Sequence, residues 1–303
     1  MLTEKENRVK VEGILSEIDL KYGEFTKKDG SHMKSVGGSI KVRVNQTLPS
    51  GEAQELEVPI HMFASEYTNA GKKNPAYDSI ERVMNEFVSI AASDINTADR
   101  IRITGAKITM NEYYGQNGNL VSFPRIQASF INKIRKEECH PEATFSAIFA
   151  VGSKGYEVDK DGVEIPNRYK IGAALPQYGG KVDVVPFIAA SEGVISAVEN
   201  YWNVGDTVKA NGRLNFTSKT YTTKADVDFG EAKEETHTIS VSELVITGGS
   251  QTPLEGDFAF DADDIAAALK DRQAKLATLK EKAANKGTSG SAPKGNSFSD
   301  LGF

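Results

Sequence analysis

A chain of 303 residues, 39% apolar and 26% charged, has room for two ordinary cores and an appendage. Its net charge of -6 excludes a polycation that coats nucleic acid by bulk charge, and its lone cysteine excludes an internal disulfide or a multi-cysteine zinc site. No run reaches the ~18 apolar residues of a membrane helix, and the first residues do not make a signal peptide, so a cytoplasmic protein with no membrane attachment is expected.

The elements follow in chain order. Arg8–Glu12 and Ser39–Val44 alternate apolar with polar, the mark of a strand with one buried face, and a third strand runs from Glu55 towards Phe63. Ile80, Val83, Met84, Phe87 and Val88 then fall at i, i+3, i+4, i+7 and i+8, which predicts an amphipathic helix with Pro75 near its start. Arg100–Ile103 and Arg125–Phe130 supply two further strands. The same order recurs: strands at Ala143–Val151, Arg168–Leu175 and Val182–Ala189, a helix through Val194, Ile195, Val198 and Trp202, then strands at Gly205–Arg213 and Thr238–Ile246. Two of these matches extend to residue identity, Ala189-Ala190-Ser191-Glu192 answering Phe63-Ala64-Ser65-Glu66 at the end of the third strand, and the Asp…Gly turns of the fourth. The order predicts an internal duplication. Trp202, at a helix end, is expected in the core.

A mainly β protein follows, with two barrels over residues 1–136 and 141–249, a linker and C-terminal helix over 250–286, and a polar tail over 287–303. Asp261 or Asp263 is the expected cap of that helix, whose apolar stripe of Ile265, Leu269, Leu276 and Leu279 is thin. The tail, rich in Gly, Ser and Lys, is too polar to pack and is expected to be disordered until its aromatic tip, Phe298 to Phe303.

Five strands with one helix between the third and fourth is the element order of an OB-fold, whose binding face is strands 2 and 3 with the loops joining strands 1–2 and 4–5. In its duplicated strand order and tail plan the chain resembles phage-type single-stranded DNA-binding proteins with tandem OB-folds. The resemblance implies protection of strands in DNA replication, recombination or repair, and a C-terminal tip (Phe298, Asp300, Leu301, Phe303) that recruits partner proteins. This tip carries one acid where such tips carry several.

Non-specific strand binding needs cations along the phosphates and aromatic faces for the bases. The first connection holds Lys21, Tyr22, Phe25, Lys27, Lys28 and Lys34; strand 2 displays Lys41 and Arg43; strand 4 carries Arg100, Arg102 and Lys107. The hairpin joining strands 4 and 5 holds Tyr113 and Tyr114 before an Asn-Gly turn, then Phe123 and Arg125. In the second barrel the corresponding residues are Lys154, Tyr156, Lys209, Arg213, Phe216, Lys219 and Tyr221. Acids exceed bases by 7 over residues 137–250, whereas bases exceed acids by 2 over 1–136, so the first barrel is expected to bind more tightly.

Catalytic chemistry has no constellation in the sequence. Gly37-Gly38 and Gly179-Gly180 lack the Gly-Lys-Ser/Thr of a phosphate loop, the four histidines are scattered, and the aspartates at 257–264 lack the glycine and glutamate of a calcium loop. No cofactor and no metal are expected. The competing reading is a structural or assembly module, such as a part of a phage particle, using its barrels for protein contacts.

Overall fold

The computed structural model describes residues 2–27, 29–48, 51–115, 117–224 and 234–286, with side chains for all of these except 218–224, 234–239 and 285–286. In chain order the strands of the first half are β1 (Asn7–Thr26), β2 (His32–Thr47) and β3 (Ala53–Ser65), then helix α1 (Pro75–Glu86), then β4 (Arg100–Tyr114), β5 (Leu120–Gln127) and the short β6 (Asn132–Ile134). The second half repeats the plan with β7 (Glu142–Val158), β8 (Glu164–Gln177), β9 (Lys181–Ala189), helix α2 (Glu192–Tyr201), β10 (Thr207–Lys224) and β11 (Glu234–Gly249). Helix α3 (Ala262–Lys286) follows.

Each half closes as a five-stranded barrel. The neighbours run β1-β2-β3-β5-β4 with β4 returning to β1, and β7-β8-β9-β11-β10 with β10 returning to β7. Within each, β3–β5 and β9–β11 are parallel and the remaining pairs antiparallel. This is the OB-fold order, present twice in tandem.

Closure depends on the length of β1. Its first half pairs with β4 and its second half with β2, and the register shifts between Leu15 and Glu17, where an irregularity bends the strand between its two partners. Gly38 has φ +144°, and a Cβ there would lie 2.1 Å from the Asp19 carbonyl oxygen, so only glycine fits the bend of β2 against β1.

The two barrels share an edge. Asn7–Glu12 of β1 pairs with Glu142–Ala147 of β7 while also facing β4, so Val9 and Val11 join Ala143, Phe145 and Ala147 in one continuous apolar core. Buried polar groups at this seam are matched. The Asn7 amide donates to the Ile108 carbonyl (2.8 Å) and accepts from its N–H (2.9 Å), and Glu12, 1% exposed, accepts from Arg102 and from the His140 N–H (2.6 Å).

Helix α1 begins where Asn74 accepts from the Ala76 N–H (3.1 Å) and Pro75 needs no partner, and it buries Tyr77, Ile80 and Val83 against the first barrel. Trp202 closes α2 in the core, edge-on to Phe149 (6.0 Å), with its Nε1 donating to the Ser250 carbonyl (2.8 Å). Asp261 caps α3 by accepting from the N–H groups of Asp263 and Asp264 (2.9 and 3.1 Å).

Two expectations about elements change. The hairpin strands are longer than periodicity showed, so Lys21, Tyr22, Phe25 and Lys34 lie on strands and the first turn is only Lys27–Ser31. The fifth strand runs Leu120–Gln127 and stops there; Phe130 lies beyond it, exposed. Helix α3 folds back on the second barrel. Ile265, Ala268 and Leu269 pack with Leu2, Ala150, Ala174 and Val182 on the outer side of β7, β8 and β9.

Candidate nucleic-acid interface

Strand alternation decides which residues share the outer side of the first barrel. On β2 and β3 the core takes Val36, Ile40, Val42 and Val44 with Leu56, Val58, Ile60, Met62 and Ala64. Their neighbours lie on the outer side, in the paired rows Ser35 with Ser65, Gly37 with Phe63, Ser39 with His61, Lys41 with Pro59 and Arg43 with Glu57, although Ser35 and Gly37 are themselves buried there. From β1 the same face receives Glu17, Asp19, Lys21, Gly23 and Phe25.

Two aromatic rings meet on this face. Phe25 and Phe63 lie 6.4 Å apart between centroids, tilted by 45°. The Phe63 ring rests over Gly37, where an added Cβ would come within 2.9 Å of its Cδ2. A glycine floor lets the half-buried ring lie low on the sheet. Phe63 was absent from the residues the sequence singled out; the available signal was an aromatic on a strand face otherwise made of Glu, Pro, His and Ser.

The β4–β5 hairpin borders the other side. Thr109, Asn111 and Tyr113 of β4 pair with Arg125, Phe123 and Val121 on its outward side, and Tyr114 with Leu120 on the opposite side. Tyr113 (47% exposed) and Phe123 (37%) are accessible. His61 is paired with Gln127 of β5 and lies within the field of Arg125. Burial, and secondarily that guanidinium, hold the His61 imidazole down at about 4, so it is neutral at pH 7. Arg125 itself is turned to the second barrel: burial disfavours its charge, Asp183 partly offsets this, and its Nε has no hydrogen-bond partner among the described residues.

Several expected cations are already engaged. Lys21 pairs with Asp19 (2.9 Å), Lys41 with Glu17 (2.6 Å), Arg43 with Glu55 (3.8 Å) and Lys107 with Glu4 (2.7 Å). Such partly exposed pairs are worth little, about 0–1 kcal/mol, and phosphates can compete for the first three. Arg100 and Arg102 correct the sequence reading. Arg100 is buried and donates to the carbonyls of Ala98 (2.6 Å) and Asn96 (3.3 Å); Arg102 is locked on Glu12 (2.7 and 3.1 Å) and on the Glu138 carbonyl (2.9 Å). Both are structural. Tyr22, though 54% exposed, is on the helix side, its hydroxyl donating to Glu81 (2.8 Å). Lys34 also faces that side and is exposed, while Lys27 sits half-buried at the turn. Lys28 lies outside the described residues.

The second barrel gathers its expected residues poorly. Phe216, 3% exposed, is a core residue, so it offers no ring to a ligand. Lys154 donates to the Val198 and Glu199 carbonyls (3.2 and 2.8 Å) and caps α2, and Lys209 pairs with Glu6 (2.9 Å). Tyr156 stands edge-on to Tyr169 at 5.0 Å. The Arg213 Nε is enclosed without a partner among the described residues. The side chains of Lys219 and Tyr221, and all of Phe298, Asp300, Leu301 and Phe303, lie outside the described residues. The face corresponding to the β2–β3 face of the first barrel is the one covered by α3.

Burial and the nearby Glu12 push the Cys139 thiol up, which keeps it protonated beside His140. Among the described residues no group of three or more His, Cys, Asp or Glu side chains is placed to hold a metal, and no helix is long and apolar enough to cross a membrane.

A family model described as YorF matches residues 5–282. The chain belongs to the YorF family. No curated protein sequence matches this YorF-family chain. Among solved structures it is similar to the wild-type single-stranded DNA binding protein from Thermus aquaticus, at 11% identity and a TM-score of 0.49, covering 84% of this chain and 96% of that one. A deletion variant of that protein matches at 12% identity and 0.49, covering 84% and 97%. A likeness this loose leaves the fold to be read from the strand order itself.

Proposed function

We propose that the protein binds single-stranded DNA without strong sequence preference, along the outer face of β1, β2 and β3 and the outward side of the β4–β5 hairpin. The Phe25–Phe63 pair carries this reading. Half-buried rings over a glycine floor, bordered by the accessible Tyr113 and Phe123, give bases of any sequence a surface to stack on, and every base has a face to offer. Lys21 and Lys41 stand beside the rings with weak ion pairs that a phosphate can displace. The finer role follows from the same chemistry: the protein covers strands exposed during replication or recombination, and its C-terminal tip recruits the proteins that act there.

Fluorescence anisotropy of a labelled oligo-dT of roughly 30 nucleotides against matched duplex, at two salt concentrations, tests this. Tight, salt-sensitive binding to the single strand and weak binding to duplex is expected. No binding at low salt rejects the reading and moves the tandem barrels to an assembly role.

A further inference from the structure

A phosphate track needs cations that are not already matched, and the outer face of the first barrel has few, since Lys21, Lys41 and Arg43 all have acidic neighbours. Helix α3 is the contrast. From Lys270 to Lys286 it carries six basic residues against two acidic ones, in a chain whose net charge is -6. Lys270, Lys280 and Lys282 are exposed and have no ion-pair partner among the described residues.

The position of this helix gives the charge a use. Ile265, Ala268 and Leu269 seat its first turns on the second barrel. Its next inward residue, Arg272, reaches across to the first barrel and forms an ion pair with Glu112, which also accepts from the Ser122 hydroxyl (3.2 Å). Glu112 precedes Tyr113 on β4, and Tyr114 lies on the same side of the strand as Glu112. The hairpin thus presents rings on both sides, Tyr113 and Phe123 towards the sheet face and Tyr114 towards α3. Leu276, Leu279 and Ala283 continue the half-buried stripe of Arg272, which leaves Lys275 and Lys282 on one flank of the helix and Lys280 on the other. Lys275 and Lys282 are seven residues apart, about 10 Å along the axis.

We propose, resting on the strand-binding reading above, that α3 is a wall of the DNA site: its lysines take phosphates of the strand whose bases stack on the β4–β5 hairpin. Arg272 is the positioning residue that holds helix and hairpin together. The second barrel then serves as the seat of α3 and not as a second stacking face.

The test is K275Q/K280Q/K282Q in the full chain, measured by anisotropy on the same oligo-dT over a range of salt. Each lost phosphate contact lowers the slope of log affinity against log salt by about 0.7 on a single strand, so a decrease of about 2 is expected, with at least roughly tenfold weaker binding at low salt. Lys and Gln have similar helix propensities, so circular dichroism and melting temperature should not move. K160Q/K170Q/K181Q, on exposed positions of the second barrel, should keep the wild-type slope. If the wild type binds and the α3 variant keeps its affinity and slope, the wall is rejected while the strand-binding reading stands. If the wild type does not bind, the reading itself falls and the wall with it.

Discussion

Phe63 stands on a strand whose other outward residues are Glu55, Glu57, Pro59, His61 and Ser65, so its half-buried ring beside Phe25 is the large apolar group of that strand face. Exchanging Phe25 or Phe63 for Ala should cost about 1–3 kcal/mol of single-strand affinity per lost stack, with little change in stability. Gly37→Val makes the complementary case. It keeps both rings but raises the floor under Phe63, where even a Cβ is already too close, and should weaken binding by a comparable amount. Unchanged affinity in all three variants, read by anisotropy, would remove the platform from the site.

His61 gives this face a pH dependence. Its imidazole is held at about 4 in the fold, against about 6.5 in an unfolded chain. A depressed value contributes stability that is complete above pH 6.5 and lost as pH falls towards 4, because the unfolded chain takes up the proton first. Asp183 acts in the opposite sense, since burial pushes its carboxyl up and the fold then binds the extra proton. Comparison with His61→Gln isolates the histidine. Between pH 7 and 4.5 the wild type should lose on the order of 1–2 kcal/mol more than the variant in urea unfolding, after allowing for partial solvent screening. Parallel pH profiles would contradict the assignment.

At the scale of elements, what could be read in the sequence was what local pattern encodes. The α1 stripe at i, i+3 and i+4 after Asn74-Pro75 specifies a helix with its start, and Asn74→Ala should cost about 1 kcal/mol of stability, measurable by denaturant unfolding. The extended arms of the hairpins were hidden because Lys, Tyr and Asn interrupt their apolar positions, and the few that are buried, such as Leu20 and Met33, are too widely spaced to show an alternation. The seat of α3 left a trace of another kind. Residues Ala147–Val151 are buried without a break, as are Ala173–Pro176, because one side faces the barrel and the other is closed by the seam with the first barrel or by α3 and the N-terminus. An unbroken apolar run in the second barrel, against clean alternation in the first, was the signal that one barrel is covered and the other open. The hairpin belongs to the open one. Tyr113→Ala should weaken strand binding by about 1–3 kcal/mol and leave melting unchanged; intact affinity would shift the site towards Tyr114 and α3.

Taken whole, the molecule has two barrels but one core. β1 and β7 pair edge to edge, and the apolar cluster runs from Ile80 and Ile108 through Val9 and Phe145 to Phe187 and Trp202 without a polar layer between. No sequence pattern shows this, because each half carries a complete set of strands and would close as a barrel by itself. The seam should make unfolding cooperative across both halves. Phe145 is the place to test it. Its ring packs 5.3 Å from Phe187, against Gly212, and its backbone pairs with Val9. Phe145→Ala removes a buried ring at a cost of about 3–5 kcal/mol, which for a protein of this size lowers the melting temperature by about 10 °C. Calorimetry should show one transition in the wild type and one in the variant, shifted as a unit. Two peaks, with only one moved by the substitution, would mean that the barrels unfold separately and that the shared edge is a contact between finished domains.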